Sequence, residues 1–253
     1  MSVGEPYFRL TFVPILALLL VLLPVAQNWA WGKADVKQWT RWAIAGGVLV
    51  AVFAVLGVGV WKISLGAALG IALGVWLIGG ALWELKRRAV TLKRVFSVSP
   101  RVWGMTLAHI GIGLFIIGAV VETTARYETT VALAEGASGK AAGWTLTLDD
   151  VGSIEGPNWY ADKAVLTAVK GGTKTVLEPM KRYYPAARMP TTETAIFKTG
   201  TGDLYAALGE QRVVDGQTRW VFRVYFNPLI DLVYAGVLLI GLGGFLSLVK
   251  VKR

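Results

Sequence analysis

Residues Gly104–Val121 read GMTLAHIGIGLFIIGAVV, a run with no formal charge, and they hold His109, the only histidine of the 253 residues. At about 1.5 Å per residue, a helix over this run is roughly 27 Å long, close to the hydrocarbon thickness of a bilayer. The run therefore predicts a transmembrane helix. An ionisable side chain inside such a helix is costly, which makes it a functional-site candidate by default. Imidazole is also the commonest metal ligand among side chains.

Four further apolar runs have similar lengths: Leu10–Val25 (a helix to about residue 27), Trp42–Val60, Ser64–Leu82 and Pro228–Val249. With 55% hydrophobic residues and a mean hydropathy of +0.55, they predict an integral membrane α-helical protein with five transmembrane helices. Residues 1–121 are expected to form a membrane domain with four spans at about 10–27, 42–60, 64–82 and 104–121. Residues 122–227 are expected to form an inserted extracytoplasmic antiparallel β domain. Residues 228–253 supply the fifth span and a basic tail.

The net charge of +10 suggests nucleic acid until it is located. Residues 122–227 contain 12 Lys/Arg and 12 Asp/Glu, so the excess lies in the membrane part, with 14 basic and 4 acidic residues. Of those 14, Lys33, Lys37, Arg41, Lys86, Arg87, Arg88, Lys93, Arg94, Arg101, Lys250, Lys252 and Arg253 fall on one side, and only Arg9 and Lys62 on the other. This is the positive-inside pattern, and nucleic-acid binding is excluded as the reading of the charge. It places 83–103 and the C-terminus in the cytoplasm, and the N-terminus and residues 122–227 on the extracytoplasmic side. A cleaved signal peptide, or a first span inserted the other way, would export the 83–103 loop with its six basic residues and one acid, Glu84. An N-terminus that starts outside predicts an upstream membrane part that is missing or supplied separately.

The tryptophans agree with that layout. Trp29, Trp31, Trp39, Trp42, Trp83 and Trp103 fall at the inner interface and Trp61 at the outer one, as aromatic belts do, while Trp76 reads as packing. With no cysteine, the chain has no disulfide and no thiol chemistry of its own.

Between the fourth and fifth spans, seven short strands are expected: Thr129–Ala134, Trp144–Val151, Ala161–Lys170, Thr173–Met180, Thr194–Lys198, Leu204–Leu208 and Trp220–Tyr225. Gly171-Gly172 marks a hairpin, and Gly152–Tyr160 reads as a loop around Pro157. The result would be a small barrel or sandwich, with an OB-like barrel among the options. No enzyme constellation appears, and no catalytic residue is assigned. Asp149-Asp150 reads as a solvated turn, and Lys181-Arg182-Tyr183-Tyr184 as a solvated strand end or a contact for an acidic or propionate-bearing ligand. The GLGGF at 241–245 lies in a span, so it is helix packing rather than a nucleotide loop.

Three roles for His109 stay open from the residues alone: a packing histidine bonded to a neighbouring helix, a haem ligand, or a proton relay. Met105 and Gly113 lie one turn either side, with Thr106 and Ile112 flanking. Gly113 is expected to leave space for a flat macrocycle, and Thr106 to accept a hydrogen bond from the other ring nitrogen, as partners of ligand histidines do. If two histidines hold the iron, the second must come from another polypeptide. Met105 is excluded as that partner, because residues four apart on one helix face the same way.

Five stretches carry a resemblance: SVGEPYF at 2–8, WGMTLAHIGIGLFIIGAV at 103–120, MPTTETAI at 189–196, DLYAALGE at 203–210 and RVYFNPL at 223–229. They resemble the C-terminal portion of the CcmF family, the haem lyase component of bacterial cytochrome c maturation, with NrfE relatives serving nitrite reductase. The resemblance implies that His109 is an axial ligand of a transmembrane haem b, which takes electrons from quinol and keeps substrate haem reduced for attachment to apocytochrome c. It places His109 about 8 Å along the span from the cytoplasmic end and roughly 18 Å from the outer end, too deep to be the haem handed over. Implied partners are the N-terminal half of CcmF, the haem chaperone CcmE, the apocytochrome-handling CcmH and CcmI, and apocytochrome c.

Several family features are absent. The tryptophan-rich WWD segment, two extracytoplasmic histidines and the partner transmembrane histidine have no counterpart in this chain, and Arg9 stands where the family usually has asparagine. The WAWG at Trp29–Gly32 falls on the cytoplasmic side and is not counted as the WWD segment. The chain is accordingly expected to be one half of a split lyase, as in plant organelles, or a fragment, and not active alone. The rival expectation is a non-enzymatic membrane scaffold whose β domain recruits maturation partners, with His109 a packing residue and no haem of its own.

Overall fold

The computed structural model describes residues 4–27, 36–214 and 216–249. The Trp29–Gly32 segment and the basic residues Lys33, Lys250, Lys252 and Arg253 lie outside the described residues. The chain divides into two compact units, Met1–Thr124 with Asp231–Arg253, and Ala125–Ile230.

The first unit is helical. Its elements are α1 (Glu5–Gln27), α2 (Val36–Ala54, prolonged by a π-helical stretch Val55–Val60), α3 (Leu65–Ala89), a 3₁₀ turn over Leu92–Ser97, α4 (Pro100–Ala125) and α5 (Ile230–Leu248). Among the described residues, five helices are long and apolar enough to cross a membrane. Helices α1 to α4 extend beyond the apolar runs, whereas α5 lies within its run, 228–249. Ser64 caps α3 by accepting from the Ala67 N–H at 3.2 Å. Pro100 opens α4, where a missing N–H costs nothing. At the other end of α3, Lys86, Arg87 and Arg88 occupy the last turn, where cations suit the helix dipole. There the fully buried Glu84 is gripped by Arg87 Nη2 at 2.7 Å and Arg88 Nε at 2.5 Å.

Trp76, read as packing, does more than fill space. Its indole N–H donates to the Val21 carbonyl of α1 at 3.0 Å, and its ring meets that of Trp42 of α2 edge to face at 5.3 Å. One side chain on α3 thereby ties two other helices.

Helix α4 is held by glycines on two faces. Gly104, Gly111 and Gly118 recur every seven residues, and each is buried. A Cβ on Gly111 would come within 2.6 Å of the Gly236 carbonyl, and one on Gly243 within 2.5 Å of the Gly104 carbonyl, so α4 and α5 touch backbone to backbone. Gly243 belongs to the GLGGF stretch, which is indeed helix packing. On another face, a Cβ on Gly74 of α3 would lie 2.7 Å from the Gly113 carbonyl. Small residues at such interfaces let helices approach closely in lipid.

The second unit is a β-sandwich. Its strands are β1 (Tyr127–Leu133), β2 (Ser138–Ala141), β3 (Trp144–Glu155), β4 (Tyr160–Lys170), β5 (Thr173–Leu177), β6 (Met180–Tyr184), β7 (Met189–Glu193), β8 (Ala195–Thr199), β9 (Gly202–Val214) and β10 (Gln217–Pro228). One sheet has the order β1-β10-β9-β8; the other has β2-β3-β4-β6-β7, with β5 also on β4. Every pairing is antiparallel. Two separate sheets exclude the closed OB-like option. Leu146, Leu148 and Leu166 from one sheet meet Leu204, Leu208, Phe222 and Val224 from the other in the core.

Three expectations for this unit need correcting. The strands number ten among the described residues, not seven. The loop expected at Gly152–Tyr160 shrinks to a turn over residues 156–159, because β3 runs on to Glu155 opposite Tyr160. The single strand Thr173–Met180 is broken at Glu178-Pro179, since proline cannot continue a ladder; β5 and β6 pair with successive halves of β4. The Gly171-Gly172 hairpin is present, with φ of 53° and 85° at the two turn residues.

Candidate functional site

His109 lies in the first half of α4, between the glycine contacts that fix that helix against α3 and α5. Its Nδ1 is buried and has no hydrogen-bond partner among the described residues. Leaving a buried polar nitrogen unpaired costs about 1–3 kcal/mol. A metal-coordinating group or a neighbouring chain that reaches the imidazole would offset that cost. On this observation the imidazole fits a haem ligand.

The two flanking residues are placed differently from expectation. Thr106 is fully buried, but its hydroxyl donates to the Val102 carbonyl at 2.9 Å and makes no bond to His109. A Cβ on Gly113 would lie 2.6 Å from Ile78 Cγ1 and 2.7 Å from the Gly74 carbonyl. The room beside Gly113 is therefore filled by α3. What Gly113 provides is a close helix contact one turn from His109, not an open slot for a macrocycle.

The Asp149-Asp150 pair, expected in a solvated turn, lies inside β3. Asp149 is exposed at a β-bulge between Leu148 and Asp150, and its carboxylate accepts from Thr167 Oγ1 at 2.7 Å. Lys181–Tyr184 is not a solvated strand end. It forms β6, half-buried between β4 and β7. Arg182 lies 4.4 Å from the ring centroid of Trp159 and 3.4 Å from Glu193, and Lys181 lies 3.3 Å from Glu210. Tyr183 packs its ring 5.0 Å from that of Tyr160. These side chains are engaged within the domain. Among the described residues no group of three or more His, Cys, Asp or Glu could hold a metal ion.

Sequence reasoning missed the heptad Gly104-Gly111-Gly118, although all three residues stand in the opening stretch. Seven-residue spacing of glycine was the available signal.

Comparison with known proteins places the chain. Residues 124–228 match the family described as the CcmF C-terminal β-sandwich. The cytochrome c-type biogenesis protein CycK of Bradyrhizobium diazoefficiens is 34% identical over 98% of this chain and 39% of its own length. The cytochrome c-type biogenesis protein ccl1 of Rhodobacter capsulatus is 35% identical over 98% of this chain and 38% of its own. A solved structure, the cytochrome c haem lyase CcmF, has the same fold, with a TM-score of 0.76 over 98% of this chain and 41% of that one at 18% identity. The chain spans about two fifths of the length of these relatives. With five apolar spans and this sandwich, it is a transmembrane member of the CcmF family of cytochrome c biogenesis proteins and corresponds to its C-terminal part.

Proposed function

We propose that the chain forms the C-terminal part of a cytochrome c haem lyase and supplies one axial ligand, His109, to a transmembrane b-type haem. The observation that carries this reading is a sole histidine in a membrane-crossing helix with a buried ring nitrogen that no described residue satisfies. Bound there, a haem would supply one-electron transfer that keeps the haem destined for apocytochrome c reduced.

The roles of this chain's own residues follow from their places. His109 would hold the haem iron through its imidazole. Gly113 lets α4 lie against α3, which fixes the turn that carries the imidazole. Thr106 spends its hydroxyl hydrogen on Val102 O but keeps acceptor capacity for an imidazole N–H. A second ligand would come from the N-terminal half of the lyase, and quinol would be the electron donor. The charge asymmetry supports a bacterial inner membrane protein with the sandwich in the periplasm, where CcmE, CcmH, CcmI and apocytochrome c would meet it.

The test is to co-express the chain with its upstream half, purify the pair and record the visible spectrum. The pair should show a b-type α-band that His109→Ala removes. A band that survives the substitution contradicts the proposal. An unchanged yield of holo-cytochrome c without this chain contradicts both this reading and the scaffold alternative.

A further inference from the structure

The β-sandwich carries a half-open cleft of about 430 Å³ at the end where the β4–β5 hairpin meets the β8–β9 turn. Trp144, Phe197 and Phe226 form its apolar wall, and Lys170, Thr173 and Thr201 line it with polar groups. Trp144 is only 3% exposed, yet its indole nitrogen has no hydrogen-bond partner among the described residues. Beside it, the Lys170 ammonium lies 5.8 Å from the Trp144 ring centroid and 5.3 Å from that of Phe226. No carboxylate lies within 4.0 Å of that ammonium among the described residues. Ring faces hold a cation without neutralising it.

The cleft therefore joins an ammonium held by ring faces, threonine hydroxyls and three aromatic rings. Donors and positive charge call for an anionic acceptor, and the rings call for an apolar body attached to it. We propose that this cleft binds an oxyanion, carboxylate or phosphate, carried on an apolar body. Lys170 pairs with the charge, and Trp144, Phe197 and Phe226 cover the apolar part. The site belongs to the sandwich alone and does not depend on what His109 binds.

Benzoate and phenyl phosphate are suitable probes, with benzamide as a neutral control. The full chain is placed in phosphatidylcholine nanodiscs, and binding is read by saturation-transfer NMR against empty discs. Both anions should bind saturably and benzamide should not. Lys170→Met, at an exposed position, should weaken anion binding at least tenfold while the far-ultraviolet circular dichroism stays unchanged. Equal binding of benzamide, no saturable binding of either anion, or wild-type affinity in folded Lys170→Met would overturn the site. Adding phosphatidylglycerol to the discs identifies the source: competition with the probes means a lipid headgroup fills the cleft, and unchanged probe binding means a soluble anion does.

Discussion

Between α4 and α5 the tightest approaches occur at glycines, Gly111 against Gly236 and Gly104 against Gly243, whereas the sandwich closes over Leu146, Leu166, Leu208 and Phe222. The contrast follows from the solvent. In water, burying apolar surface stabilises by about 25 cal/mol per Å², so a core gains from large side chains. In lipid that driving force between helices is missing, because acyl chains are as apolar as leucine; close backbone packing takes its place. Side-chain volume thus stabilises one unit and would disrupt the other.

Opposite substitutions should break the two regions. Phe222→Ala empties a fully buried position shared by both sheets and should cost the sandwich about 3–5 kcal/mol. Hydrogen exchange of β10 amides in the full chain would show it, and native-like protection would contradict it. Gly111→Leu adds volume where a Cβ already meets the Gly236 carbonyl, so it should cost about 1–3 kcal/mol or more in the helical unit and leave the sandwich amides unchanged. Thermal unfolding in detergent together with exchange would separate the two effects.

Smaller effects are expected at a tight turn and at an exposed ion pair of the sandwich. Gly172 sits at φ 85° in the β4–β5 turn, and Gly172→Ala should destabilise the sandwich by about 1–2 kcal/mol through backbone strain. Lys181→Ala removes a pairing to Glu210, which is 80% exposed, and should change stability by less than about 1 kcal/mol. A larger loss would mean that β6 depends on its charges rather than on its half-buried position.

Legibility in the sequence divides along the same line. All five spans could be read from apolar runs, because lipid demands about 20 apolar residues in a row. The start of α3 at Ser64 could be read too, but other ends could not, since Pro100 and the Glu84–Arg88 cluster act through helix opening and ion pairs beyond the runs. In the sandwich, the strands with strong apolar alternation were readable. Ser138–Ala141 and Met189–Glu193 were not: they are edge strands, one short and polar, the other containing Pro190.

His109 itself could be found from one sequence because its rarity and depth mark it. Its surroundings could not. Whether Gly113 opens space or closes it depends on which helix lies alongside, and α3 fills that side with Ile78 and Gly74. Thr106 turned to its own helix because the Val102 carbonyl one turn earlier is always within reach of a threonine hydroxyl.

In the proposed function the His109 imidazole coordinates a haem iron. Its most direct test is the visible spectrum of the pair formed by this chain and its upstream half, with His109 replaced by glycine, recorded before and after adding free imidazole. Loss of the b-type α-band in His109→Gly and its return with imidazole is the expected result. A wild-type band in His109→Gly without imidazole would contradict the account.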